Sequence, residues 1–484
     1  MSFLKIKDLS VNYQMRKETV YAAKNINIEI NKGEILGLVG ESGSGKSTVG
    51  NAIINLIDET GKVSSGSILL GELNIHEDPK NIAKYRGKKI GLIFQDPQTS
   101  LNPILTIGEQ LIETIQTHLA LTKEEAKERS ISLLKEVGIK DATKRFDDYP
   151  HQFSGGMRQR VVISLALCCE PELLIADEPT TALDVSIQSQ ILDLIKKLTK
   201  ERNLAVILIT HDMGVIAETA NRVAVMKNGD VVEIGITKEI LTNPKKTYTK
   251  SLVSSVPPTN KKISRFVIIE KENNIDNKNN LKILNRWTKK KIIEQNLVQV
   301  KNLSKSFDDN FFTESSKNSV MAVNDVSFNI REGESFGLVG ESGSGKSTIA
   351  KMIVNLFKPS AGEFFFDNIC VTKIKQNSEM MKFRKQIQII FQDPYSSLNG
   401  RLKVRDIVSE PIKLHNPSIS NKDLNAYISD LIESVEITQK SADRYPHEFS
   451  GGQRQRISIA RALATQTKSL GCVANALAIY ILCL

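Results

Sequence analysis

Cysteine is scarce in this 484-residue sequence, and the five present form no C-x-x-C pair: Cys168 and Cys169 are adjacent, while Cys370, Cys472 and Cys483 stand alone. The pattern is that of a reducing compartment, with no disulfide framework and no C-x-x-C metal site expected. Long hydrophobic runs are also missing. No apolar stretch approaches the roughly 20 residues a membrane helix requires, the nearest being residues 473–484. Residues 1–9 alternate apolar and polar as a strand does and hold no signal-peptide core. Any membrane role is therefore expected to come through another polypeptide. Dense charge is rare too. Lys plus Arg exceed Asp plus Glu by 65 to 55, for a net charge of +10, but the lysines are scattered and the one compact run is residues 289–291. Nucleic acid or an anionic membrane surface would suit that sign, and so would a solvated Lys-rich surface.

What is present is ordinary in bulk and unusual in pattern. A hydrophobic share of 40% with 25% charged residues is that of a soluble globular protein, and the length suggests two or three domains. The pattern is a repeated nonapeptide. Gly40-Glu41-Ser42-Gly43-Ser44-Gly45-Lys46-Ser47-Thr48 returns unchanged at residues 340–348, with Gly340, Gly343, Gly345, Lys346, Ser347 and Thr348 in the same places. Both copies fit G-x-x-x-x-G-K-S/T and both follow an apolar run, residues 35–39 and 336–339. The glycines let the backbone curl around a phosphate chain with its N–H groups inward. The lysine adds charge on the terminal phosphates, the serine can hold Mg²⁺, and the following helix points its positive end at the same anion. A glycine-rich turn with a chance lysine explains one copy but not two.

The copies extend well beyond the loop. Gly40 maps to Gly340, Gln95 to Gln392 and Ser154 to Ser450, so the offset stays near 300 and the chain is a tandem duplication. The first copy starts with a strand at residues 3–6 and has further apolar strands at 90–94, 173–176 and 205–209, with a helical stretch at 186–200. Strand and helix alternate, which argues for a largely parallel sheet covered by helices. Residues 222–235 read as a hairpin turning at Asn228-Gly229. A mostly helical insertion is expected at residues 104–146, where Thr122 and Glu125 form a capping box and Ala126, Ser130, Leu133, Leu134 and Val137 keep helical spacing. The domains are read as 1–258, a Lys/Asn/Ser/Pro-rich linker at 259–296, and 297–484, with a polar insertion at 308–318.

Two more constellations carry chemistry. The apolar residues 173–176 deliver Asp177 and Glu178 at a strand end; Asp177 is placed to hold Mg²⁺ and Glu178 to polarise an attacking water. A solvated strand edge would look the same without the phosphate loop upstream. Ser154-Gly155-Gly156 opens a helix as a second anion-facing turn, and Ser450-Gly451-Gly452-Gln453 is its twin.

Phosphate loop, glutamine after a strand (Gln95, Gln392), S-G-G turn, Asp-Glu, Ala182-Leu183-Asp184 and a histidine after a strand (His211) together resemble an ATP-binding cassette (ABC) ATPase. The contexts of residues 94–103, 149–154 and 391–399 are similar to the paired ATPase subunits of oligopeptide and dipeptide importers, as are residues 247–258 to the extension those subunits carry. The fold class implied is α/β, two tandem P-loop NTPase domains, each a mixed sheet covered by helices plus a helical subdomain, the second incomplete. The resemblance further implies a head-to-tail dimer, each ATP lying between one loop and the opposite S-G-G turn. Tyr13 and Phe307 would stack on adenine, His211 would contact the γ-phosphate, and Gln95 would link Mg²⁺ to the helical insertion. That insertion would grip an integral membrane permease at the cytoplasmic face of the membrane, served by an extracytoplasmic substrate-binding protein, with an intact ABC ATPase as a further candidate partner. The competing class is a soluble twin-cassette ATPase acting on ribosome or nucleic acid, which the basic charge alone supports; nucleic acid is not the expected partner. A third is an inactive product of a frameshifted gene.

The second copy departs from the pattern at about residue 465. The equivalents of Asp177 and Glu178 are Val473 and Ala474, that of His211 falls beyond the last residue, and residues 471–484 have no counterpart in the first copy. The second site is therefore expected to bind nucleotide weakly without hydrolysing it, and the interrupted sheet to expose apolar edges. A frameshift origin for the tail is checked by reading the downstream DNA. Out-of-frame Asp-Glu-Pro, Ala-Leu-Asp and strand-His sequences are expected, and their absence removes the idea.

Overall fold

The computed structural model describes the chain except residues 1, 15–18, 76–78, 182, 184, 257–293, 309–318, 342, 394–396, 474–477 and 484. Ala182, Asp184, most of the expected linker at 259–296 and most of the polar insertion at 308–318 lie outside the described residues. The chain forms two compact units, Met1–Asn274 and Ile275–Leu484.

The first unit contains β1 (Leu4–Gln14), β2 (Thr19–Ile30), β3 (Ile35–Val39), β4 (Gly61–Leu70), β5 (Leu73–Asn74), β6 (Ile90–Ile93), β7 (Leu173–Asp177), β8 (Ala205–Thr210), β9 (Arg222–Lys227) and β10 (Asp230–Ile236). They make two sheets, of order β2-β1-β4-β5 and β10-β9-β3-β8-β7-β6. The first is antiparallel throughout and was not legible as a separate sheet. In the second, β9, β3, β8, β7 and β6 run parallel, and β10 returns against β9 as a hairpin. Asn228 and Gly229 take φ of 49° and 89° at its tip, as a tight hairpin turn demands.

All five residues of β3, Ile-Leu-Gly-Leu-Val, are buried. A parallel strand covered on both faces has no use for polar alternation. Leu36 and Leu38 pack with Leu4, Ile6 and the helix Lys46–Ile53 in one core. Ile35 belongs to a second core shared with the helical insertion, and Val39 to a third with Met213, Ile216 and Tyr248. The insertion contains the helices Ile107–His118 and Lys123–Glu136. Thr122 and Glu125 form the expected capping box, and Thr106 with Glu109 forms another.

The second unit repeats this plan in β11 (Asn296–Asp308), β12 (Ser319–Arg331), β13 (Ser335–Val339), β14 (Ala361–Phe366), β15 (Ile369–Cys370), β16 (Ile387–Ile390), β17 (Ser469–Val473) and β18 (Ala478–Cys483). The antiparallel sheet β12-β11-β14-β15 matches its twin, and β16 pairs parallel with β17 as β6 does with β7. The difference lies in β18. The tail without a sequence counterpart enters the sheet between β13 and β17, the slot β8 holds in the first unit, and runs antiparallel to both. Its direction follows from its tether: only residues 474–477 separate it from β17, whereas a parallel return needs a crossover of about a dozen residues or more.

The replacement is partial. Among the described residues nothing pairs with the other edge of β13, where the first unit has β9. Val39 is 0% exposed and its equivalent Val339 is 73% exposed, a forfeited burial on the order of 1.5 kcal/mol. A Cβ at Gly40 would lie 2.2 Å from the Met226 carbonyl oxygen of β9, while one at Gly340 would meet the side chains of Ser344 and Lys346 and no strand backbone.

If β18 holds the second unit's sheet together, Ile481→Pro removes a ladder donor from an internal strand. Urea unfolding of that unit is then expected to weaken by roughly 1–3 kcal/mol, with more aggregation on gentle heating. An unchanged transition would place β18 outside the folded sheet.

Candidate functional site

The loop of the first unit owes its shape to two left-handed glycines, Gly43 at φ 83° and Gly45 at φ 99°. At Gly45 a Cβ would also sit 2.0 Å from the Ala22 carbonyl oxygen, so both conformation and space exclude a side chain. Gly45 is the N-cap of the helix Lys46–Ile53 and supplies no side-chain cap, which leaves the first-turn N–H groups, those of Ser47 and Thr48 included, free to meet an anion. The buried Lys46 Nζ donates to the carbonyls of Gly40 and Glu41, both at 2.8 Å, and to Ser44 Oγ at 3.3 Å. Burial lowers its pKa, against the pull of Glu178, Asp177 and Glu41. Ser42 lies exposed at the loop's mouth, and the Glu41 N–H donates to the Tyr248 hydroxyl at 3.2 Å.

Three strand ends meet beside this loop. β7 ends in Asp177 and is followed by Glu178, which takes a left-handed φ of 46° and donates its N–H to the Ile209 carbonyl of β8 at 2.8 Å. An L-residue rarely accepts that conformation, and its occurrence here turns the carboxylate into the site. Glu178 Oε2 accepts from Gln95 Nε2 and from Thr181 Oγ1, each at 2.9 Å. Glu178 Oε1 lies 2.8 Å from Nδ1 of His211, the residue that follows β8. Burial pushes the Glu178 carboxyl up, but hydrogen bonds from His211, Thr181 and Gln95 outweigh it and hold the group below the usual carboxylate range. The bond to Glu178 raises the His211 pKa, burial working against it.

Asp177 goes the other way. Burial raises its carboxyl, opposed by the Ser47 hydroxyl and by Lys46. Its buried Oδ1 has no hydrogen-bond partner among the described residues. An orphaned carboxylate oxygen next to a serine hydroxyl and an ammonium is a donor set that a hard divalent cation with oxygen ligands satisfies, so the residues fit Mg²⁺.

The second unit keeps the loop and loses the strand ends. Lys346 Nζ donates to Gly340 O at 2.8 Å, Glu341 O at 2.6 Å and Ser344 Oγ at 3.1 Å, and Gly343 and Gly345 are again left-handed, at 84° and 91°. Ser347 and Thr348 occupy the first turn of the helix Lys346–Ile353. The β16–β17 register pairs Ile390 with Cys472 as Ile93 pairs with Ala176, which puts Val473 at the position of Asp177. Gln392 is exposed.

Comparison with known proteins decides the family. The model of the ABC transporter family matches residues 23–181 and 323–471. The chain belongs to the ABC transporter family. It is a tandem-cassette ATPase, and it is 40% identical over 479 residues to the glutathione import ATP-binding protein GsiA of Escherichia coli K12, spanning 96% of this chain and 76% of the relative. The GsiA protein of Shigella flexneri gives the same identity over 480 residues, with the same coverage. Among solved structures, cbiO1 from Clostridium perfringens, part of the ABC transporter complex cbiONQ, is 33% identical with a TM-score of 0.44, covering 50% of this chain and 91% of that one.

The remaining expected residues sit within their own cassettes. Ser154 N-caps the helix Gly155–Leu167 by accepting from the Met157 N–H at 3.4 Å. Gly155 faces open space, whereas a Cβ at Gly156 would lie 2.6 Å from Ile187. Ser450 and Gln453 form a reciprocal capping box at the start of Gly451–Leu463, and Gly451 and Gly452 face open space. Tyr13 packs its ring against Gly61 beside the core of the first cassette. Phe307 is half-exposed, edge-on to Phe357 at 5.5 Å, with Lys305 Nζ 5.1 Å from its ring centre. Sequence reasoning missed Thr181, Tyr248 as a loop contact, and the backbone of Glu178. A hydroxyl three residues after a carboxylate was the available signal for the first; nothing local announces the others.

The His211–Glu178 pair sets a pH window. His211, with a raised folded pKa, adds stability that is complete below the ordinary imidazole value and lost as pH rises through the raised one. Glu178, with a lowered folded pKa, adds stability above the ordinary carboxylate range that is lost as pH falls through the lowered one. In Mg²⁺-free protein, NMR titration is expected to show the His211 ring titrating above the usual histidine value and returning toward it in Glu178→Gln. Titration at the ordinary value in both proteins would mean that the pair does not form.

Proposed function

We propose that this ATPase energises import of peptide-like solutes through permease subunits on other polypeptides, and that hydrolysis is carried by the first cassette. The observation behind the second clause is the clamped Glu178 carboxylate: three donors fix it, and they hold it ionised, as a base that polarises water must be. Asp177 and Ser47, with Gln95, would hold Mg²⁺, which would neutralise charge on the phosphates. Lys46 and the loop N–H groups bind and orient the phosphates. Water is aligned by Glu178 and the γ-phosphate is met by His211, while Tyr13 and Phe307 are assigned to adenine. The helix starts at Ser154–Gly156 and Ser450–Gln453 are assigned to nucleotide, chiefly through the N–H groups of Gly155, Gly156, Gly451 and Gly452. The second cassette keeps a phosphate cradle without the carboxylates, which supports nucleotide binding without turnover.

The transport half of the proposal rests on the relatives, whose name assigns them to glutathione import. It is supported by a groove of about 260 Å³ in the first cassette, lined by Ile54, Leu56, Leu92, Phe94, Val162 and Leu165 among others. Phe94 is 50% exposed there and adjoins Gln95, whose amide holds Glu178. A permease segment in this groove would reach the catalytic carboxylate through two consecutive residues. No described helix is long and apolar enough to cross a membrane. The relatives' role in import supports assigning the chain to the cytoplasmic face as a peripheral subunit, with separate permease and substrate-binding proteins.

Mg-ATP turnover of the full chain tests the assignment. Glu178→Gln is expected to lower kcat by about 10²–10⁴ while nucleotide binding persists, and an integral permease is expected to co-purify. Turnover by the variant at the parent rate would remove Glu178 from the chemistry. Nuclease-sensitive or ribosomal association without a permease would overturn the transport reading.

A further inference from the structure

The first cassette carries a thiol pair that neither the hydrolytic site nor the groove uses. Cys168 is the C-cap of the helix Gly155–Leu167, and Cys169 follows it; both are buried, and their sulfurs lie 3.7 Å apart. Cys168 Sγ donates to the Leu165 carbonyl at 3.1 Å, and Cys169 Sγ makes only a long contact, 3.8 Å, to the Thr114 carbonyl of the helix Ile107–His118. Arg129 stands beside them, its Nε donating to the Cys168 carbonyl at 2.7 Å and its guanidinium paired with Glu170 at 3.1 Å.

Buried cysteines serve well as small hydrophobes, and the second cassette shows whether the fold asks for them. There Ala464 is the C-cap of the equivalent helix and Thr465 follows it. The next residues, Glu170 and Gln466, share the left-handed conformation at φ 53° and 55°. The same turn is built with no sulfur, so packing does not require the pair. The electrostatics then divide the two thiols. The contact between the two sulfurs draws the Cys169 pKa down, against burial and with help from Arg129 and Lys88, while that contact and burial push Cys168 up. Two sulfurs of unequal acidity thus sit side by side.

We propose that Cys168 and Cys169 form a vicinal-dithiol site for a thiophilic metal or metalloid centre that takes two sulfur ligands, with trivalent arsenic as the probe. Phenylarsine oxide reacts there without redox change. Two S–H bonds break, two As–S bonds form on the one arsenic, and its oxygen leaves with both protons as water. Closing the second bond within one site favours the chelate over a single thiol adduct by roughly 10²–10⁴, and thiolate sulfur is the ligand that soft centres select.

The test treats the full native chain with phenylarsine oxide and reads intact mass and peptide maps. One adduct per chain is expected, equal to the reagent less one water, mapped to Cys168 and Cys169, removed by 2,3-dimercaptopropanol and resistant to 2-mercaptoethanol. Cys168→Ala with Cys169→Thr, the pair the sister cassette already folds with, is expected to abolish it. Cys370→Ser is expected to leave it intact. An adduct that a monothiol strips, one that maps to Cys370, Cys472 or Cys483, or labelling only after unfolding in urea would each overturn the assignment.

Discussion

Parallel packing of β3, β8 and β7 is the constraint from which the rest of the first cassette follows. Each strand ends on the same side of the sheet: β3 runs into the phosphate loop, β7 into Asp177 and Glu178, and β8 toward His211. Open α/β sheets gather their chemistry at the carboxyl ends of parallel strands because side chains and helix starts converge there from residues far apart in sequence. The Glu178 N–H bond to the Ile209 carbonyl shows how local the coupling becomes. It locks a left-handed backbone against β8, and that lock aims the carboxylate at Gln95, Thr181 and His211.

The second cassette is an internal control for this constraint. The hydrogen bonds of Lys346 repeat those of Lys46, so the phosphate cradle does not depend on a parallel neighbour in the slot of β8 or on a strand in that of β9. The strand ends are different. β18 closes the sheet by hydrogen bonding but enters antiparallel, so the strand beside the loop no longer delivers its end to the site. Backbone pairing is thus restored while side-chain delivery is not, and the exposure of Val339 marks the cover that hydrogen bonding alone does not supply.

The charges in the first site are balanced in opposite directions within two residues. Burial raises the Asp177 carboxyl, whose Oδ1 has no partner among the described residues, while three donors hold Glu178 below the usual carboxylate range. Neighbouring carboxylates with separated tendencies can take separate tasks, one completing a cation's ligand set and the other remaining a base.

The sequence by itself determined whatever is encoded within a few residues: both phosphate loops, the tandem repeat, the Asn228-Gly229 hairpin, the Thr122–Glu125 capping box, and Asp-Glu at the end of an apolar strand. Those signals are local because glycine φ, cap hydrogen bonds and burial periodicity act over one turn or one strand. Tertiary structure decided the rest. The clamp on Glu178, the reach of Tyr248 to Glu41, the separate antiparallel sheet and the direction of β18 all depend on which strands become neighbours. That choice is made by connection length, register and two-sided burial across distant segments, and no short window of residues contains it.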